Sequence, residues 1–342
     1  MPPSQEGMLA EPILLELRDW LVALQTEIQR RVADAVRRHA GVALASVARE
    51  EASDTIYELD RGVDELLLER CASLGQRYPF VLIAEGNTRT FPAATDRETA
   101  AFVLIVDPVD GTRGIMYDKR SAWALAAVAP NRGSDTSLAD IVLAVQTEVP
   151  TSKQYLADTL WAIRGKGARA VRRNLLTGEE VPFALLPSQA QDLSHGFAML
   201  TKFFPGGKVV TAEIEEQLYA RLGSLVSADR ARVFDDQYIS TGGQLYELAV
   251  GHDRFNGDIR AALKALPAAR GYPPGLTAHP YDICTELIAR EAGVIVTDLQ
   301  GGPLRAPLSE DAEVSWLAYA NKSLQAQIEP ILQDLFREHG LL

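Results

Sequence analysis

Two cysteines in 342 residues, Cys71 and Cys284, are too few and too far apart to staple a fold or cage a zinc ion. Both read as buried thiols in a reducing compartment. The chain has no run of eighteen apolar residues, and no basic segment followed by an apolar stretch opens it. No membrane partner is therefore expected, and the cytoplasm is the expected location. Positive charge is scarce as well: 34 Lys and Arg stand against 46 Asp and Glu, a formal net charge of -12. Such a surface repels nucleic-acid backbones, and the two basic stretches, "QRRVADAVRR" and "RGKGARAVRR", are short and interrupted. There is no internal repeat or low-complexity tract. Hydrophobic residues are plentiful at 47%, enough for a substantial core in one large unit or two packed domains.

Hydrophobic periodicity predicts a mixed α and β chain. Leu14, Leu17, Leu21, Leu24, Ile28 and Val32 recur at three and four, which predicts a long amphipathic helix over 13–36 covering a sheet. A second helix is expected over 60–75, stopped by Gly75. Apolar runs at 80–85, 101–107, 121–130 and 141–149 read as strands. The last three are joined by segments too short for crossover helices, so antiparallel pairing is expected. Gly165 and Gly167 mark the turn of a further hairpin. A stretch without periodicity over 178–194 suggests a boundary, giving an N-terminal α+β domain over 1–185 and a C-terminal α/β domain over 186–342. In the second, "EIEEQLYARLGSLV", "GGQLYELAVG" and the tail from Ser323 read as helices, and "ARVFDD" and "GVIVTD" as strands.

The chemistry concentrates in "FVLIVDPVDGTRG". Asp-Pro and Asp-Gly are ordinary turn formers, so the motif alone is compatible with a structural turn. Its position is more informative: a buried strand ends at Asp107, and a tight turn brings Asp110 to the same cavity. Glu85 ends an earlier hydrophobic strand in the same way. Clustered carboxylates are costly unless a cation neutralises them, and an all-oxygen set without His or Cys points to Mg²⁺ rather than Zn²⁺. The Val109 carbonyl is a further candidate ligand, and the amides of Gly111 and Thr112 are candidates for a phosphate oxygen. Far downstream, Asp282 in "HPYDICTELIAREAG" stands before a helix, either as its N-cap or as another ligand.

Together, "LIAEG", "DPVDGT" and "YDICTELIAREAG" resemble the inositol monophosphatase family, part of the lithium-sensitive superfamily that includes fructose-1,6-bisphosphatases. The resemblance runs from about 45 to about 305. It implies a layered α-β-α-β-α sandwich, usually dimeric, and a magnesium-dependent phosphomonoesterase using metal-activated water. By that resemblance Glu85, Asp107, Val109, Asp110 and Asp282 hold two or three Mg²⁺ ions, with Mn²⁺ a substitute, and their oxygens are expected within roughly 6 Å of a common point. Asp60 and Thr112 position the attacking water, with Glu85 also in the catalytic set. Gly111 and Thr112 meet the phosphate, and the segment at Thr241, Gly242 and Gly243 meets the leaving group. The substrate class implied is a small polyol or sugar phosphate such as inositol monophosphate. Fructose 1,6-bisphosphate and 3'-phosphoadenosine 5'-phosphate are the alternatives within the class, and a diverged, non-catalytic binding protein is the alternative outside it.

Five departures from the family pattern stand out. Gly86 replaces a second glutamate, which puts a third metal in question, and Tyr57 stands where a threonine is expected. Tyr281 replaces a tryptophan and Cys284 an alanine, both compatible with the same packing. The connection from Gly251 to Asp282 is longer than in compact inositol phosphatases. Lys202, Arg254, Arg270 and His279 are weak candidates for sugar or second-phosphate contacts, since basic side chains belong at the surface by default, and His195 is weaker still. Arg113 and Lys119, beside the phosphate turn, are better ones.

Overall fold

The structure, a computed structural model, describes residues 9–38, 47–50, 55–223, 229–266, 271 and 273–342, with the backbone alone for 47–50 and 55–61. Helix α1 (Glu11–Arg38) is followed by a ribbon of β1 (Val47–Glu50) and β2 (Thr55–Tyr57), and then by α2 (Glu58–Gly75). An eight-stranded sheet comes next. Its strands are β3 (Phe80–Ala84), β4 (Asn87–Phe91), β5 (Phe102–Asp110), β6 (Ala122–Pro130), β7 (Leu143–Val149), β8 (Leu156–Ile163), β9 (Ala168–Asn174) and β10 (Glu180–Phe183). They lie in the order β10-β9-β8-β7-β6-β5-β3-β4. Only β3 and β5 run parallel; the meander from β5 to β10 is antiparallel, as short connections require. The one-turn helix α3 (Thr112–Met116) sits between β5 and β6.

The second half carries β11 (Gly196–Leu200), α4 (Lys208–Arg221), β12 (Val233–Phe234), α5 (Thr241–Ala249) and β13 (Asp253–Asp258). It continues through α6 (Arg260–Leu263), α7 (Pro280–Ile283), α8 (Glu286–Ala292), β14 (Ile295–Thr297), β15 (Trp316–Tyr319) and α9 (Lys322–His339). Its strands form a five-stranded sheet in the order β12-β11-β13-β15-β14.

The alternation of side chains along the strands builds the layers. Phe80, Leu82, Leu104, Val106, Ala124 and Val145 share a core with Leu17, Leu21 and Ile28 of α1 and Leu66 and Leu67 of α2. The intervening Val81, Ile83, Ile105, Leu125 and Ala144 join a second core with Leu245 of α5, Leu287 of α8 and Trp316 of β15. Helices α4 and α9 cover the far face of the smaller sheet. The result is an α-β-α-β-α sandwich in which α5, α7 and α8 lie between the sheets.

Two local expectations are corrected. The stretch 178–194 contains β10, paired to β9; three of its four residues are exposed, so an edge strand there leaves no hydrophobic alternation to read. Asp282 precedes α8 but is not its N-cap, which is Thr285: it lies inside the one-turn α7, started by Pro280 at the first helical position, where proline's missing amide costs nothing.

Candidate metal centre

β5 delivers its two aspartates by breaking its own register. Pairing with β6 is regular as far as Asp107 opposite Leu125, then shifts, so that Asp110 stands opposite Trp123. Residues three apart on an unbroken strand face opposite sides; one extra residue returns Asp110 to the side of Asp107. The motif is thus a bulged strand end and not a strand followed by a tight turn. At its end the Thr112 hydroxyl donates to the Val109 carbonyl at 2.8 Å.

Each carboxylate has a local holder. The Val109 amide donates to Asp107 Oδ1 at 3.0 Å. Asp110 Oδ2 accepts from Ser240 Oγ at 2.8 Å and from the Gly242 amide at 2.7 Å. Asp282 Oδ2 accepts from the His279 amide at 2.6 Å, and the His279 ring stacks on Tyr281 with centroids 5.0 Å apart. One oxygen each from Asp107, Asp110 and Asp282 lies within 4.8 Å of the others. Glu85 is outside this close group, but it lines the same cleft and its charge acts on Asp107.

Burial and mutual repulsion govern the cluster. Burial, then the charges of Asp110, Glu85 and Asp282, hold the Asp107 carboxyl well above the usual carboxylate range. Burial and the charge of Asp282 push Asp110 from its ordinary 3.8 up to about 8, against the pull of its hydrogen bonds from Gly242 and Ser240. The donors are all oxygen and the anions crowd one another, which fits a hard dication of the Mg²⁺ or Mn²⁺ type.

A pH dependence follows. Raised folded-state values mean that the folded chain holds these protons more tightly than the unfolded chain does. The associated stability is complete below the ordinary carboxylate value and is lost as pH rises through about 8 for Asp110. Melting temperatures of chelated protein should fall between pH 4 and pH 8, and Mg²⁺ should restore them by binding the ionised cluster. A flat profile that Mg²⁺ does not alter would contradict this.

Glu85 and Gly86 are the two residues linking β3 to β4, whose ladder closes at Ala84 and Asn87. Gly86 has φ +62, a left-handed conformation that glutamate enters only with strain. The tight hairpin therefore accounts for the missing second glutamate.

The side chain of Asp60 lies outside the described residues, as do Arg270 and the side chain of Tyr57. One helical turn after Asp60, half-buried Asp64 lines a small pocket with Glu85, Asp107, Val109 and Thr112. Gly242 and Gly243 are not among the residues lining the main cleft; Ser240 and Thr241 are. A Cβ on Gly242 would come 2.5 Å from Leu125 Cδ2, so this glycine lets α5 press against β6 and hold Asp110.

Other candidates fall on either side. Lys202 is committed to Glu215 and Asp235 at 2.8 and 2.6 Å, and Arg254 to the carbonyls of Asp192 and Ser194. His195 lies in the turn before β11 and does not line the cleft. Lys119 lines a separate cleft, whereas Arg113 and His279 line the main one. Three further lining residues carried no sequence signal: Phe203, Phe204 and Arg260. Arg260, 5% exposed, clasps Asp258, donates to the Leu276 carbonyl at 3.0 Å and lies 4.6 Å from the Phe203 ring centroid. The cleft is lined by the acidic cluster and by the aromatic rings of Phe203, Phe204 and Tyr281.

The fold is similar to that of inositol monophosphatase and fructose-bisphosphatase structures. The extragenic suppressor protein SuhB of Bartonella henselae superposes with a TM-score of 0.62 at 17% identity, over 93% of this chain and 98% of that one. The Thermotoga maritima IMPase gives 0.59 at 17% identity, over 92% and 97%. Fructose-1,6-bisphosphatase of Leishmania major gives 0.61 at 12% identity, over 99% and 96%. No protein-family profile and no curated protein matches the sequence. No described helix is long and apolar enough to cross a membrane.

Proposed function

We propose that this protein is a divalent-metal-dependent phosphomonoesterase acting on a small polyol, sugar or nucleoside monophosphate, with Mg²⁺ resident and Mn²⁺ able to replace it. The observation that carries the reading is the meeting of Asp107, Asp110 and Asp282, from segments about 170 residues apart, within 4.8 Å in a cleft of this fold. Asp107, Asp110 and Asp282, with Glu85 and the Val109 carbonyl, would hold two ions; Gly86 has no carboxylate to offer a third. Bound ions supply charge neutralisation at the phosphate and a lowered pKa for water.

The remaining roles fall to the chain's own groups. Asp64 and Thr112, which line one small pocket with Glu85 and Asp107, would orient the attacking water, and Asp64 would take its proton. We assign that role to Asp64, with Asp60, to which the family resemblance gives it, as the alternative. The phosphate would rest against Gly111 and Thr112, and the leaving group against Phe203, Phe204 and Tyr281. Arg260 and Lys202 are already neutralised by Asp258, Glu215 and Asp235, which favours a monophosphate over a bisphosphate. With the family resemblance go a homodimer and a cytoplasmic location, which sedimentation and cell fractionation test.

Phosphate release from inositol phosphates, fructose 1,6-bisphosphate, other sugar phosphates, 3'-phosphoadenosine 5'-phosphate and glycerol 2-phosphate, with Mg²⁺ and with chelator, tests the reading. Release that chelator abolishes is expected. No release across the panel from protein that binds Mg²⁺ would favour a non-catalytic binding protein. The aromatic wall adds a second expectation: Phe203→Ala should raise KM about tenfold for a ring-bearing leaving group, with kcat little changed. Unchanged kinetics on every ester would remove Phe203 from the pocket.

A further inference from the structure

The turn that holds Asp110 is itself held from behind. On the inner face of the larger sheet, Asp107, Leu125, Gln146 and Leu160 stand side by side on β5, β6, β7 and β8. The leucines suit that face; Gln146, 2% exposed between them, does not. A buried amide is costly unless both ends are bonded, and here both are. Its Nε2 donates to the Gly242 carbonyl at 2.9 Å, and its Oε1 accepts from the Thr285 hydroxyl at 2.8 Å. A carbonyl only accepts, so the Gly242 bond settles which end of the amide points where.

Both partners lead to the acidic cluster. The amide of Gly242 donates to Asp110 at 2.7 Å, while its carbonyl is the atom Gln146 holds. Thr285 stands three residues after Asp282, between α7 and α8. We infer that Gln146 is a positioning residue: one side chain ties to the larger sheet both the turn that holds Asp110 and the segment that brings Asp282, keeping the carboxylates at a spacing suited to a divalent cation. The inference rests on the metal-dependent reading above.

A merely stabilising role is the competing account, and the fold contains a matched control. Gln25 on α1 is 1% exposed, donates to the Val145 carbonyl at 2.9 Å and accepts from the Thr147 hydroxyl at 2.9 Å. Its partners lie on the opposite side of β7, away from the carboxylates. Gln146→Leu and Gln25→Leu remove the same kinds of buried bond, so both should lower the melting temperature of the chelated protein by similar amounts.

The deciding experiment is calorimetric titration of each folded protein with Mg²⁺ and with Mn²⁺. Only Gln146→Leu should weaken ion binding, by about tenfold, or ~1.4 kcal/mol. Thr285→Val should share part of the loss, and Thr285→Ser, which keeps the hydroxyl, should not. Equal weakening in both glutamine variants, or none in Gln146→Leu, overturns the positioning role. Should Gln146→Leu fail to fold, the Thr285 pair decides: loss in Val with rescue in Ser supports it, and no difference between them overturns it. A wild type that binds neither ion overturns instead the metal reading on which the inference stands.

Discussion

Replacing Asp110 with Asn is expected to cut metal-dependent phosphate release by about a thousandfold, the scale of several kcal/mol that metal charge supplies in the transition state. The substitution preserves shape, and an amide oxygen can still accept from Ser240 and Gly242. What is lost is a negative charge among carboxylates crowded within 4.8 Å. In the metal-free protein the loss should be harmless. Asp110 holds its proton up to about pH 8, so Asn resembles the form already present at neutral pH. Chelated Asp110→Asn should therefore melt higher than chelated wild type by a margin that grows from about pH 4 to about pH 8 and is constant above it, because only wild type loses stability across that interval. Full activity in this variant would contradict the assignment of Asp110; a folding defect would show that the residue is chiefly structural.

Replacing Asp64 with Asn should lower turnover by about a hundredfold or more, the usual contribution of a positioned general base, while Mg²⁺ binding changes little. This result separates the water-orienting pair from the ion-holding set, because calorimetry reads the second without the first. Asp60→Asn, made alongside, decides between the two aspartates. If Asp60→Asn proves the more damaging, the proton-accepting role belongs one turn earlier on α2.

The choice between these two aspartates shows where sequence reasoning stops. Residues four apart share a helix face, so the pattern identifies the face without identifying which of the two acts. The bulge in β5 was equally hidden, because register belongs to a strand pair and leaves no trace in one strand's composition. By contrast, the meeting of Asp107, Asp110 and Asp282 in one cleft, with Glu85 lining it, was legible. Carboxylates at the ends of apolar strands and beside a helix conflict with packing and so call for a chemical reason. The continuous apolar runs of β3, β5, β6 and β7 likewise revealed the sheet, since burial on both faces demands them. Phe203, Phe204 and Arg260 were illegible for the opposite reason. Two aromatics and an arginine are ordinary in any loop, and only tertiary packing brings them to the cleft. Gln146 reads as a strand residue until its two hydrogen bonds are traced.

The central claim is that Asp107, Asp110 and Asp282 form a divalent-metal centre in the cleft. Anomalous diffraction from crystals soaked in Mn²⁺ tests it most directly. The account predicts a peak at about 2.1 Å from carboxylate oxygens of all three residues, the reach of a small hard dication. Well-ordered carboxylates with no peak between them, at Mn²⁺ concentrations that fill other sites, would contradict it.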